Sequence, residues 1–144
     1  MSSVTVDVVI HRPRHEVWAE IRHIDRHVLW MSDARRIDFH TDQREGVGTS
    51  FDCLTAIGPL RTRDVMTITH WEDDRTIGVT HSGIFTGHGE FRLRSVGDAT
   101  RMTWHEELSF PWWLAGPVGA RVARPLLRGV WRRNLRNLAR LLTS

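Results

Sequence analysis

The chain of 144 residues has no lysine, no tyrosine and a single cysteine, Cys53. One thiol excludes an internal disulfide framework and suits a reducing compartment, so burial of apolar side chains has to supply the stability. No window holds the roughly 18 uninterrupted apolar residues of a membrane-spanning helix. The N-terminal MSSVTVDVVIHRP lacks a basic start, and its short apolar run stops at His11 and Arg12. It therefore reads as a strand and not as a secretory leader, and a cytoplasmic protein is expected. Carboxylates run out as well: the last is Glu107, and positions 108–144 carry seven arginines and no acidic residue. The formal charge of +3 thus hides a strongly basic C-terminal segment on an acidic remainder. All 20 basic residues are arginine, which codon usage in a GC-rich genome explains without a functional cause.

With 40% apolar and 26% charged residues, the chain has the make-up of one globular domain, residues 1–144, long enough to bury a core. VTVDVVIH, residues 4–11, is β-branched and alternating, with Val4, Val6, Val8 and Ile10 on one face. After Pro13, Val17, Trp18, Ile21 and Ile24 recur at helical spacing, which predicts a helix over about 14–23. A second helical turn is expected through Asp25–Trp30.

From Arg35 onward short extended runs alternate with turn signals: RRIDFHTD, TSFDCLTA, LRTRDVMTITHW, TIGVTHS, IFTGHGEFRLR and TRMTWHEELSF. Six such strands make a meander of hairpins. Beyond Pro111 the period becomes helical. Leu127, Val130, Trp131, Leu135, Leu138 and Leu142 form an apolar stripe, and Arg124, Arg128, Arg132, Arg136 and Arg140 step by four along another face. Pro125 should kink this helix or cap a separate first segment. An antiparallel sheet must hide one face, and the long helix is the only element able to cover it.

This order, with the stretches VDVVIHRPRHEVWAEIRHID, Trp30, Gly48 before TSFDCLT, GHGEF and FPWWLAGPVGARVARPLLRGVWRRNL, resembles the START-related, birch-pollen-allergen-like superfamily (SRPBCC). Within it, the chain looks like the bacterial polyketide cyclase/dehydrase and lipid-transport branch. The resemblance spans essentially the whole chain. It implies an α+β helix-grip fold: a curved antiparallel sheet of about seven strands around a long C-terminal helix, with two short helices after the first strand. It also implies a deep cavity between sheet and helix, the default kind of site for a small hydrophobic molecule.

Strand parity then sorts the inward residues. Phe51, Cys53 and Thr55, then Met66 and Ile68, then Val79, are expected against a ligand, as are Phe85, Phe91, Met102 and Trp104. The helix would add Leu127 and Trp131, and Trp113 would plug or gate the mouth. Gly87 and Gly89 share the inward parity and leave volume.

Three ionisable groups, Asp64, His81 and Glu106, fall on inward positions. A carboxyl among Trp104, Met102 and helix residues should have its pKa raised by desolvation. Paired with His81, it has the chemistry that aldol-type cyclisation or dehydration of a polyketide needs: one group removes a proton beside a carbonyl and one protonates the departing oxygen. A purely structural pairing of Glu106 is the alternative.

Three functions stay open: a carrier of a lipid, isoprenoid or polyketide-type molecule, a cyclase/dehydrase using Glu106 with His81 or Asp64, and an antitoxin-like or regulatory module. The last would act through Arg124, Arg128, Arg132 and Arg136 on an acidic protein or an anionic membrane surface. A solvated arginine face paired with carboxylates elsewhere on the body is the plain alternative. Nucleic acid is disfavoured, because the tryptophans follow core periodicity and are not interleaved as stacking platforms. Cys53 is expected to be a buried, inert thiol; His23 and His27, four apart among nine histidines, are expected at the surface and not on a metal, and no cofactor or metal is implied.

Overall fold

The structure, a computed structural model describing residues 2–110 and 116–144, runs β1 (Ser2–Ile10), α1 (Arg14–Ile21), a 3-10 helix (Ile24–Leu29), β2 (Ala34–Phe39) and β3 (Ser50–Ile57). It continues with β4 (Leu60–Glu72), β5 (Thr76–Ser82), β6 (Thr86–Val96), β7 (Ala99–Ser109) and α2 (Gly116–Thr143). The seven strands form one antiparallel sheet in the order β1-β7-β6-β5-β4-β3-β2. Strands β2 to β7 are a meander, and β1 joins the far edge, with Ser2 opposite Leu108 and Ile10 opposite Thr100. The two short helices carry the chain from the β1 edge to the β2 edge. This is the helix-grip α+β architecture.

Alternation explains the strands. On β1, Val4, Val6 and Ile10 are buried while Thr5, Asp7 and Val9 face water, and on β7 Met102, Trp104, Glu106 and Leu108 are buried. One break in parity matters. The pairing of β4 with β5 shifts register between Ile68 and His70, so Trp71 and not His70 turns inward, where its ring meets Trp18 edge-on at 5.2 Å. A β-bulge of this kind inserts one residue and re-aims all that follow. Trp18 comes from α1, which starts directly after Pro13, a residue whose missing N–H is harmless at a helix start, and which buries Val17, Trp18 and Ile21.

Helix α2 is continuous through Pro125, so the proline does not cap a separate segment. Its C-terminal half packs chiefly on β1 and buries Trp131, Leu135 and Leu138. Asn134, fully buried, ties the helix to the entry of β2. Its Nδ2 donates to Asp33 Oδ1 at 2.7 Å, and its Oδ1 accepts from the Ser32 N–H and hydroxyl, both at 2.9 Å. Asn137 Nδ2 adds a bond to the Trp30 carbonyl. The N-terminal half is different: Val118, Val122 and Leu126 are exposed. Among the described residues no helix is long and apolar enough to cross a membrane.

His27 departs from expectation, because it lies inside and not at the surface, 5% exposed between Trp30 and Phe91. Its Nε2 hydrogen-bonds the Ile21 carbonyl at 2.7 Å, which requires Nε2 to carry the proton. Burial drives its pKa down to about 4, against the weaker pull of that bond. The folded value lies below the unfolded one, so as pH falls from about 6.5 to about 4 the unfolded chain takes up the proton first and stability is lost. The loss approaches roughly 3 kcal/mol. Urea denaturation at about pH 7 and about pH 4.5 should therefore show His27→Gln losing roughly 2 kcal/mol less than the native chain. Equal losses in the two proteins would contradict this role.

Candidate functional site

Between the curved sheet, the 3-10 helix and α2 lies a cavity of about 130 Å³. On this measure one water needs about 10–15 Å³, so the space admits a compact ring system, not a single solvent molecule. Its floor is the inward face of β3, β4 and β5, including Phe51, Cys53, Thr55, Met66 and Val79. Phe85, Phe91 and Trp104 form one wall, and Leu127 and Trp131 of α2 close it from above. Trp104 and Trp131 stack at 5.0 Å, which fixes the two faces against each other.

Two expected lining residues do not reach the cavity. Ile68 and Met102 are 1% and 0% exposed and belong to the packed clusters, Met102 between Val8 and Leu93. Parity set their direction correctly, but the inward face is divided into a filled part under the helices and a hollow part, and strand alternation does not distinguish the two. Trp113 lies outside the described residues. Conversely, the wall takes in Ile24, His27, Met31 and Asp33, which carry no strand signal and are brought there by the crossover between β1 and β2.

Asp64, His81 and Glu106 all line the cavity. His81 is on β5 and Glu106 on β7, with β6 between them, so at about 4.8 Å per strand they are two spacings apart. They meet because β6 presents no side chain there. Gly89 is opposite both Glu106 and Val79, and Gly87 opposite both Leu108 and His81. A Cβ on Gly89 would overlap the Glu106 carboxylate, and Gly87 has φ of 145°, in the region that favours glycine. Across this trough His81 Nε2 and Glu106 Oε2 are 2.6 Å apart, and Trp104 Nε1 donates to Oε1 at 3.0 Å. Both carboxylate oxygens of Glu106 are thus engaged, with its side chain only 6% exposed.

Burial works against a charged His81, but the Glu106 carboxylate and its hydrogen bond, helped by Asp64, outweigh it and hold the imidazole above its ordinary 6.5. The Asp64 carboxyl is raised by burial, partly offset by His81, and its Oδ1 sits against Gly83 without a hydrogen-bond partner. Asp33 is likewise raised by burial despite its bond from Asn134. Burial pushes the Cys53 thiol up to about 11, so it stays protonated and unreactive. No group of three or more histidine, cysteine, aspartate or glutamate residues is placed to hold a metal ion among the described residues.

The arginine face of α2 is real. Arg124, Arg132 and Arg136 are exposed and Arg128 is half-buried. No ion pair joins an arginine of α2 to a carboxylate among the described residues, so the pairing with the acidic body is not made; the short pairs, such as Arg22–Glu45 and Arg26–Glu20, lie elsewhere.

A family model described as polyketide cyclase/dehydrase and lipid transport matches residues 1–143. No curated protein matches significantly. Among solved structures, TTHA0849 from Thermus thermophilus superimposes with a TM-score of 0.82 at 16% identity, over 99% of this chain and 100% of that one. XoxI from Bacillus cereus gives 0.79 at 12% identity, over 100% and 97%. DynU16, a protein of the dynemicin biosynthetic locus, gives 0.73 at 18% identity, over 100% of this chain and 48% of that one. At these identities the likeness shows a shared fold.

The trough over β6 leads to a direct check. Gly89→Ala should displace the Glu106 carboxylate and destabilise the protein by about 1–3 kcal/mol, as overpacking does. In an NMR titration His81 should then ionise at lower pH than in the native chain, as it should in Glu106→Gln, where desolvation is left less opposed. Unchanged titration in both variants would show that the pair does not govern His81.

Proposed function

The chain belongs to the polyketide cyclase/dehydrase and lipid-transport family, and from that premise we propose that it binds a hydrophobic small molecule in the cavity between the sheet and α2. The observation that carries this reading is the cavity itself: a preformed space of about 130 Å³, walled mainly by apolar side chains with few polar groups among them. Such concave apolar sites with a small number of placed polar groups are where small molecules bind. Of the lipid, isoprenoid and polyketide types, a compact ring-containing molecule fits this volume better than an extended acyl chain. The single, protonated thiol suits a cytoplasmic setting.

One observation favours catalysis as a second reading. His81 and Glu106 form a hydrogen-bonded imidazole–carboxylate pair at the cavity wall, with Asp64 close enough to act on His81. In a cyclase/dehydrase, His81 in its neutral form would take a proton from carbon beside a ligand carbonyl, and Glu106 would hold the imidazolium that results. Asp64, with its raised pKa, would supply the proton to the departing oxygen. Both oxygens of Glu106 already accept hydrogen bonds, which suits it to orient His81 more than to donate a proton itself.

Two experiments separate binding from chemistry. N-phenylnaphthylamine, an uncharged dye that brightens in apolar surroundings, should bind one equivalent to the native chain, and Leu127→Trp, which fills the cavity, should weaken it at least about tenfold without changing the circular dichroism. Undiminished binding by that variant would place the dye elsewhere. If a ring-closing substrate is found, Glu106→Gln should reduce turnover by about 100-fold or more while leaving substrate affinity near normal. Turnover that survives the change would remove Glu106 from the mechanism.

A further inference from the structure

The chain has 20 arginines, and none lines the cavity. The few residues whose side chains are not described include neither arginine nor lysine, so they add no positive charge. The ionisable groups that do line it are Asp33, Asp64, Glu106, His27, His81 and Cys53, whose thiol stays protonated and uncharged. His27 is uncharged at neutral pH, because its pKa is lowered to about 4. The positive charge available to the cavity is therefore that of His81, and it is already matched by Glu106 at 2.6 Å. At neutral pH, whatever the protonation of Asp33 and Asp64, the cavity wall is therefore neutral or negative.

An anionic head group entering this space would leave water and find no cation to pair with, while three carboxyl groups face it. A buried charge without a partner is strongly unfavourable. The wall offers acceptors instead: the second lone pairs of the Glu106 oxygens, the carboxyl groups of Asp64 and Asp33, and the Thr55 hydroxyl. An uncharged ligand that donates a hydrogen bond satisfies them and brings no charge inside.

We infer that the cavity takes an uncharged, compact apolar compound carrying a hydroxyl-type hydrogen-bond donor, as in a phenol or an enol, and rejects carboxylate- and phosphate-headed lipids. This rests on the reading of the cavity as a binding site and narrows it to a ligand class. The arginines of α2 do not oppose it: Arg124, Arg132 and Arg136 are exposed, where solvent screens them, and Arg128, half-buried beside Leu127, is not among the residues that line the cavity.

Competition against bound N-phenylnaphthylamine tests the charge rule with ligands of one shape. Naphthol, naphthamide and naphthoate share a ring body, and the last two are nearly isosteric but differ by a full charge. At neutral pH naphthol and naphthamide should displace the dye at concentrations at least about tenfold lower than naphthoate. In Thr55→Lys, which adds a cation to the wall, the gap between naphthamide and naphthoate should narrow severalfold. Should that variant fail to fold, the native comparison of naphthamide with naphthoate decides alone. Naphthoate binding as tightly as naphthamide, or naphthamide as weakly as naphthoate, overturns the ligand class and leaves cavity binding standing. Failure of the dye itself to bind overturns both.

Discussion

A carboxylate held in an apolar interior is the constraint around which this site is organised. Glu106 is 5% exposed on a strand whose inward neighbours are Trp104 and Leu108. Its solvation has to be replaced, and the structure replaces it with the indole N–H of Trp104 and the imidazole of His81. Each replacement makes its own demand. Trp104 must stand two residues back on the same strand face. His81 must come from two strands away, which is feasible only where β6 has no side chain, at Gly87 and Gly89. The glycines weaken β6 as a strand, and β6 keeps its place because β7 pairs with it along its whole length and β5 over Gly87–Arg92, the stretch that holds both glycines.

The hollow beside this pair follows from how the helix is held. Asn134 and Asn137 pin the C-terminal half of α2 to the segment between the 3-10 helix and β2, where Trp131, Leu135 and Leu138 fill the sheet. The stripe of core leucines thins out before Leu127. The inner face of β3, β4 and β5 is thereby left without a helix pressed onto it. The cavity lined by Phe51, Met66 and Val79 lies beside this anchored half, with Leu127 and Trp131 at its edge.

Much of this was legible in the sequence because antiparallel strands with one buried face advertise it. The strand order, the inward set on β3, β5 and β7 and the gathering of Asp64, His81 and Glu106 follow from period-two alternation, whereas the ends of β2 and β6 fall two or three residues from the extended runs RRIDFHTD and IFTGHGEFRLR. The glycines of GHGEF even point to the trough, once it is seen that a carboxylate needs room across the strand. What parity could not convey was depth. Ile68 and Met102 face inward like Met66 and Trp104, yet they are packed and not hollow-facing, since that depends on where α2 lies. The bulge that turns Trp71 inward is a backbone event without a distinctive residue. His27 and Asp33 were invisible as wall residues because they sit on a short 3-10 helix and its exit, where no periodicity runs long enough to define a face. The partner of Asp33, Asn134, is 101 residues away.

The separation of charge within the molecule bears on how it meets a ligand. Exposed arginines of α2 make the outside positive, whereas the cavity wall carries no unmatched positive charge at neutral pH. A charged outer face acts over about 10 Å at moderate ionic strength and governs what approaches. Selection at the wall acts at contact distance in a poorly solvated space, where an unpaired charge weighs far more than it does outside. Attraction to the surface and residence in the cavity are therefore governed by different groups. On the ligand class inferred above, an anion drawn to the helix would not thereby be admitted, whereas an uncharged molecule would depend on neither screening nor steering and would be discriminated by the shape of the hollow and the acceptors around His81.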